Sequence, residues 1–353
     1  MAHEPRPSSG GRLRAAAETP TARARRVLGV GVSLLEVDEL RVRLRGAGGL
    51  LTVVDGVGYR VDQGEVFGVA GESGSGKTMS MLALLGLLPE GAVVGGHVRF
   101  EDRELLGLSR SRLREISGRE LAMVFQDPLT SLHPMLTIGR QLTEHVRRHL
   151  GLDRRAAERR ALELLEQVRI PGGATALRAY PHQFSGGMRQ RIAIAIALAC
   201  RPKLLIADEP TTALDVTVQA GILRLLDRLR RENDLAVVLI THDLGVMSAI
   251  ADRVSIFYAG RVVESGSCAE VLREPRHPYT RALLDALPHP EAAHDQPLVA
   301  IPGAPPNPGS IPSGCAFHPR CSFARERCRV EVPPLLVVQG RAFACPVDPL
   351  AAR

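Results

Sequence analysis

The stretch EVFGVAGESGSGKT, residues 65–78, constrains this chain more than any other. EVFGVAG reads as a buried strand ending in glycine, and a helix is predicted from Lys77 to about Leu88. Between them GESGSGKT fits Gly-x-x-x-x-Gly-Lys-Ser/Thr in full, in the strand–loop–helix context the motif requires. The glycines let backbone N–H groups close around phosphate oxygens. Gly71, Glu72, Ser73, Gly74, Ser75, Gly76, Lys77 and Thr78 are therefore the candidate phosphate cradle. Lys77 would reach the β- and γ-phosphates and the Thr78 hydroxyl would hold Mg²⁺. The only lysines in the sequence are Lys77 and Lys203, although Lys and Arg together number 45. A compact ammonium suits this nest and the wide planar fork of arginine does not.

Two more apolar runs, KLLIAD at 203–208 and LAVVLIT at 235–241, read as strands buried on both faces, as in a parallel sheet. LLIADEP leaves two carboxylates at a strand's C-terminal end, where open α/β sheets bind ligands. Asp208 is the candidate Mg²⁺ ligand, and Glu209 the base that orients and deprotonates a water. His242 follows the strand in LITHD, where its ring could touch the γ-phosphate. Gln126 ends LAMVFQ and could reach Mg²⁺ or the lytic water. Phosphoryl transfer asks mainly for positioning and charge neutralisation, so this modest set suffices.

At 353 residues the chain suits roughly two or three domains. No apolar run approaches the ~20 residues of a membrane-spanning helix. The net charge of +7 is spread over scattered arginines, and aromatic residues are 3%, too few to offer stacking platforms for nucleic-acid bases. Residues 1–33 are polar and rich in Arg, Ala and Pro, and read as a disordered cytoplasmic extension. RRVLGVGVSLL within it faintly resembles a secretion signal but lacks a convincing cleavage site. Strands are predicted over about 35–62, a helical, charged insertion over about 136–183, and a final hairpin in RVSIFYAGRVVESG with glycine at its turn. No internal repeat is present, so one nucleotide-binding unit is expected. Beyond about residue 288 prolines crowd in and four cysteines gather, which reads as a separate module on a proline-stiffened linker.

These motifs in this order resemble the ATP-binding cassette (ABC) ATPase family over about residues 35–285. The resemblance rests on the phosphate loop, Gln126, FSGGM at 184–188 as the signature, LLIADE, ALD at 213–215 and His242. It implies an α/β fold: a P-loop ATPase core with an antiparallel β-subdomain and a helical subdomain at about 127–195, the whole spanning 34–288. It also implies that two such units face each other head to tail. Ser185, Gly186 and Gly187 would then grip the γ-phosphate of an ATP held by the partner, through helix N-terminal N–H groups. Met188 stands where glutamine is commonest. The family usually stacks an aromatic ring on adenine; here the corresponding position is Leu44, and Tyr59 reads as part of a later strand.

The tail narrows the resemblance. HPYTRALLDALP at 277–288, PGAPPNPGSIPSGCAFHPRCSFARERC and the closing ACP look like the C-terminal region of oligopeptide and dipeptide importer ATPases, a branch shared with nickel and glutathione importers. FQDPLTSLHPMLTIGRQLTE and YPHQFSGGMRQR look like the same branch. This implies a peripheral protein on the cytoplasmic membrane face, with a second, homologous ATPase subunit and two transmembrane permease subunits as partners. An outside binding protein would deliver the cargo. Cys315, Cys321, Cys328 and Cys345, within the expected module 289–353, could hold Zn²⁺ or an iron–sulfur cluster, or be free or disulfide-linked thiols, disulfides being disfavoured in the cytosol; the resemblance leans to [4Fe–4S]. Three rivals are disfavoured. DNA-repair cassettes carry a long coiled-coil insertion, ribosome-acting ones carry two ATPase units, and non-hydrolysing sensors lose Glu209 or His242.

Overall fold

The computed structural model describes residues 33–46, 48–127, 131–212, 214–287 and 300–347. The extension expected over 1–33 lies outside the described residues except for Ser33, which already opens a strand. Ala213 of ALD and residues 128–130 also lie outside them. In chain order the strands are β1 (Ser33–Gly46), β2 (Gly49–Asp62), β3 (Val66–Ala70), β4 (Val93–Phe100), β5 (Arg103–Glu104) and β6 (Leu121–Val124). They continue with β7 (Leu204–Asp208), β8 (Ala236–Thr241), β9 (Arg253–Tyr258), β10 (Arg261–Ser267), β11 (Leu336–Val338) and β12 (Arg341–Phe343).

Apolar alternation in β1 and β2 builds an antiparallel sheet of order β2-β1-β4-β5. The continuous apolar strands form the larger sheet, β11-β12-β10-β9-β3-β8-β7-β6. Its β9, β3, β8, β7 and β6 run parallel. Because strand side chains alternate between faces, each of these strands feeds two cores. Val237 and Leu239 of β8 face the helical side. Ala236, Val238 and Ile240 face the antiparallel sheet and the helix Lys77–Leu85. That two-sided burial is why the sequence shows unbroken apolar runs. Ala70 pairs with Thr241 and Asp208 with Ile240. The residues that follow, Gly71, Glu209 and His242, thus leave the sheet along one edge.

The helical region contains Ile138–Leu150, Arg154–Gln167, Ala174–Arg178 and Gly186–Ala197. Thr137 and Asp153 cap the first two, accepting from the N–H groups of Arg140 and Ala156. Ile138, Leu142 and Val146 repeat every four residues and form the buried stripe of the first helix. The expected hairpin is present as β9–β10, turning at Ala259 and Gly260 with φ of 48° and 80°, the positive pair of a primed turn.

The C-terminal segment does not stand apart from the core. β12 pairs with β10, Glu264 opposite Phe343 and Ser265 opposite Ala342, and β11 lies outside it. The described residues from Ser33 to Val347 cluster as one compact unit. Strands of three residues are too short to show an alternation, which is why the sequence pattern misses this continuation of the sheet. Fully buried Glu264 fastens it, accepting from the N–H groups of Arg276 (2.8 Å) and His277 (2.9 Å) and pairing with Arg341 at 2.8 Å.

Candidate functional site

The phosphate loop turns between β3 and the helix Lys77–Leu85 on backbone that only glycine accepts comfortably. Gly71 has φ +147°, and a Cβ there would fall 2.2 Å from the Phe257 carbonyl oxygen. Gly76 caps the helix at φ +99°, and its Cβ would sit 2.6 Å from the Val53 carbonyl. The loop is pinned from the β9–β10 turn, where the Gly260 N–H donates to the Ser75 carbonyl at 3.0 Å. Ser73 and Gly74 are exposed at its crest. The buried Ser75 Oγ has no hydrogen-bond partner among the described residues, a polar atom a bound anion would find inside the cradle.

Lys77 is buried and curls back, donating from Nζ to the carbonyls of Gly71 (2.7 Å) and Glu72 (2.8 Å). Burial holds its ammonium below the ordinary lysine value, against the pull of Glu209, Asp208 and Glu72. Thr78 Oγ1 donates to Asp208 Oδ1 at 3.3 Å. Burial pushes the Asp208 carboxyl up, the Thr78 hydrogen bond works the other way, and neighbouring Glu209 adds to the rise. A hydroxyl and a carboxylate side by side make an oxygen donor set, which fits a hard cation such as Mg²⁺.

Glu209 is the hub. Its Oε2 accepts from Gln126 Nε2 and from Thr212 Oγ1, each at 2.9 Å, and its Oε1 lies 3.1 Å from His242 Nδ1. Gln126 arrives from the end of β6, Glu209 from β7 and His242 from β8. Three residues widely separated in the chain therefore meet at one carboxylate beside the loop. Thr212 was not singled out in the sequence. Its approach depends on a turn in which the Thr212 N–H donates to the Glu209 carbonyl at 3.2 Å, and the TTALD run hints at this only weakly. Also unforeseen is a group of contacts on Glu72. Its N–H donates to Tyr279 Oη (2.8 Å), and Arg320 grips its carboxylate through both Nη1 (2.7 Å) and Nη2 (2.9 Å).

Ser185, Gly186 and Gly187 are not among the groups that meet at Glu209. They open the helix Gly186–Ala197, where Ser185 accepts from the Met188 N–H at 3.3 Å, and Ser185 and Gly186 are exposed. This helix start packs beside Leu214 and Val218. Tyr59 is buried and stacked on Phe67, so it offers no face to a base, and Leu44 packs half-buried against the same core.

Cys315, Cys321, Cys328 and Cys345 line one pocket, walled further by His277, Phe317, His318 and Phe323. Burial pushes the Cys315 and Cys321 thiols up and Cys345 up to about 12, with the neighbouring cysteines adding to the rise at Cys345. No group of three or more His, Cys, Asp or Glu placed to hold a metal ion is found among the described residues, which supports neither the iron–sulfur nor the zinc alternative over the other. No helix among the described residues is long and apolar enough to cross a membrane.

Comparison with known proteins identifies the family. A family model described as ABC transporter matches residues 54–212, and one described as oligopeptide/dipeptide transporter, C-terminal region, matches 263–328. A putative peptide import ATP-binding protein of Brucella suis biovar 1 is 50% identical over 314 residues, covering 89% of this chain and 94% of that protein. The dipeptide transport ATP-binding protein of Escherichia coli K12 is 47% identical over 322 residues, covering 90% and 98%. Among solved structures, a dimeric ATP-binding cassette in a post-hydrolysis state bound to ADP and phosphate aligns with a TM-score of 0.60 at 26% identity. It covers 66% of this chain and 98% of that one.

Proposed function

From a chain that belongs to the ABC transporter ATPases, in the branch of peptide-import ATP-binding proteins, we infer an ATP-hydrolysing subunit that drives uptake of oligopeptides or dipeptides. The observation that carries the chemistry is the meeting of Gln126, Thr212 and His242 on Glu209 beside the phosphate loop. The backbone N–H groups of residues 71–78 and the ammonium of Lys77 hold the phosphates, with Lys77 exchanging its two carbonyl partners for phosphate oxygens. Thr78 and Asp208, with Gln126 in reach, would hold Mg²⁺, which supplies neutralisation of phosphate charge when bound. Glu209 takes the proton of the attacking water, and His242 stands by to contact the γ-phosphate. Replacing Glu209 with Gln keeps the shape and removes the base. ATP binding is expected to persist while turnover in the assembled transporter falls about 100-fold or more. Full ATPase activity in Glu209→Gln would remove Glu209 from this role.

The exposed start of the signature helix supports a head-to-tail pair, in which Ser185, Gly186 and Gly187 complete the site of a second ATPase subunit. Exposed apolar side chains at Phe125, Met135 and Tyr180, close to Gln126 or to the helical region, support docking on permease subunits at the cytoplasmic membrane face. ATP-driven closure then moves those subunits, so the chemistry serves a conformational cycle. A binding protein outside delivers the cargo. Uptake of labelled di- and oligopeptides by a deletion strain tests that cargo, and uptake of Ni²⁺ or glutathione alone would reassign it. For the four-cysteine pocket our reading is a [4Fe–4S] cluster. What supports it is that four thiols line one pocket, the ligand number and type that such a cluster takes. Iron and sulfide analysis of anaerobically purified protein tests it.

A further inference from the structure

The phosphate loop carries a carboxylate of its own. Glu72 is its second residue, and its charge is felt at Lys77, the ammonium meant for phosphate. An uncompensated carboxylate here would oppose a triphosphate that carries several negative charges. The compensating charge comes from Arg320, 248 residues further along the chain, in the turn between Cys321 and Cys315.

Arg320 is fixed from several sides. Both Nη atoms take the Glu72 carboxylate, its Nε donates to the Pro302 carbonyl at 2.9 Å, and Nη1 reaches Tyr258 Oη at 3.4 Å. Its guanidinium faces the rings of Tyr258 and Phe317, each at 5.9 Å. The arginine side chain is 6% exposed and the Glu72 side chain 24%. The Glu72 N–H is tied at the same time to Tyr279 Oη, whose ring packs on Tyr258 and Phe317. Main chain and side chain of one loop residue are thus both held by groups C-terminal to the signature helix. Desolvation offsets much of the Coulomb gain in so buried a pair, so fold stability alone is a weak account of it.

We propose that Arg320 is a positioning residue of the nucleotide site, supplied by the cysteine-bearing C-terminal segment, which neutralises Glu72 and sets its place so that the loop accepts a polyanion. The proposal rests on the reading above that this loop binds ATP.

The test is the dissociation constant of MgATP for the full chain, measured by calorimetry, with melting followed in parallel. Arg320→Ala is expected to raise Kd about tenfold by exposing the loop to the Glu72 charge. Glu72→Gln is expected to lower Kd, because Arg320 then adds an unopposed positive charge. The double variant is expected to return to within about threefold of the wild type, a rescue that a purely structural tie does not predict. An unchanged Kd in Arg320→Ala, or a double variant as weak as the single, overturns the proposal. Should Arg320→Ala fail to melt cooperatively, Glu72→Gln decides, and an unchanged or raised Kd there overturns it. A wild-type chain that fails to bind MgATP overturns the reading of the loop itself and this proposal with it. Wild-type binding with an indifferent Arg320→Ala overturns only the role of Arg320.

Discussion

Glu209 holds a backbone conformation that non-glycine residues rarely adopt, φ 45°, and its N–H donates to the Ile240 carbonyl at 2.9 Å. Such positions persist where surrounding contacts over-determine them, and they gather at functional sites. Gly187 shows the opposite constraint, of space. A Cβ there would fall 2.5 Å from Val218 Cγ1, on the helix Val216–Asn233. Gly187→Ala is expected to cost about 1–3 kcal/mol in urea denaturation by overpacking this seam. Adding Val218→Ala should recover most of that loss, and a double variant no more stable than the single would show that the seam is not the cause. At this scale the sequence was most legible where a motif fixes the backbone. Lys77, Thr78, Asp208 and His242 follow from strand ends and glycines. Thr212 and Arg320 do not, because one depends on a turn and the other on a contact across most of the chain.

Among the elements, the helix Ile138–Leu150 reaches the loop before β6, and β6 ends near Gln126. His145 on this helix donates from Nε2 to the Gly118 carbonyl at 3.2 Å, and its ring lies 4.8 Å from that of His149. Burial holds both imidazoles below the ordinary histidine value, with Arg148 pushing the same way on each and Arg119 on His149. A neutral histidine with a lowered folded value contributes stability that is complete above the ordinary value. That stability is lost as pH falls through the lowered one. Melting temperature is therefore expected to drop between pH 7.5 and pH 5.5, and His145→Gln, which keeps a donor, should flatten that slope. Equal slopes in the two proteins would place the acid sensitivity elsewhere. The buried strands β3, β6, β7 and β8 and the helices of the 136–183 region are readable from period and length, whereas β4 and the 18-residue helix Val216–Asn233 are not among the sequence expectations. The short pieces, β5, β11, β12 and the helix Arg110–Ile116, were not readable, since two to seven residues give too few repeats to establish a period.

For the whole molecule, the C-terminal segment behaves as part of the ATPase core. Glu264 of β10 is fully buried and the Arg341 side chain of β12 is 8% exposed, so their ion pair ties the C-terminal strand to the main sheet. Arg341→Met strands a buried carboxylate and is expected to cost about 3–5 kcal/mol in urea denaturation. Glu264→Gln in the same chain should restore part of that, and a loss below ~1 kcal/mol for Arg341→Met would show that the charge is solvated by other means. Proline content and the cysteine cluster made this region look like an appendage. Composition reports stiffness and chemistry and carries no record of which sheet edge a distant segment will meet.

The grip on Glu209 has a cellular corollary. Three side chains of the same polypeptide occupy the carboxylate that, in the proposed scheme, must face water before any bond is cut. In a lone copy these contacts must loosen before Glu209 can take a water's proton, so a chain without its partners is expected to turn over ATP slowly, which a comparison of ATPase rates for the lone chain and the assembled transporter checks. On that reading, making this subunit in excess would consume little ATP.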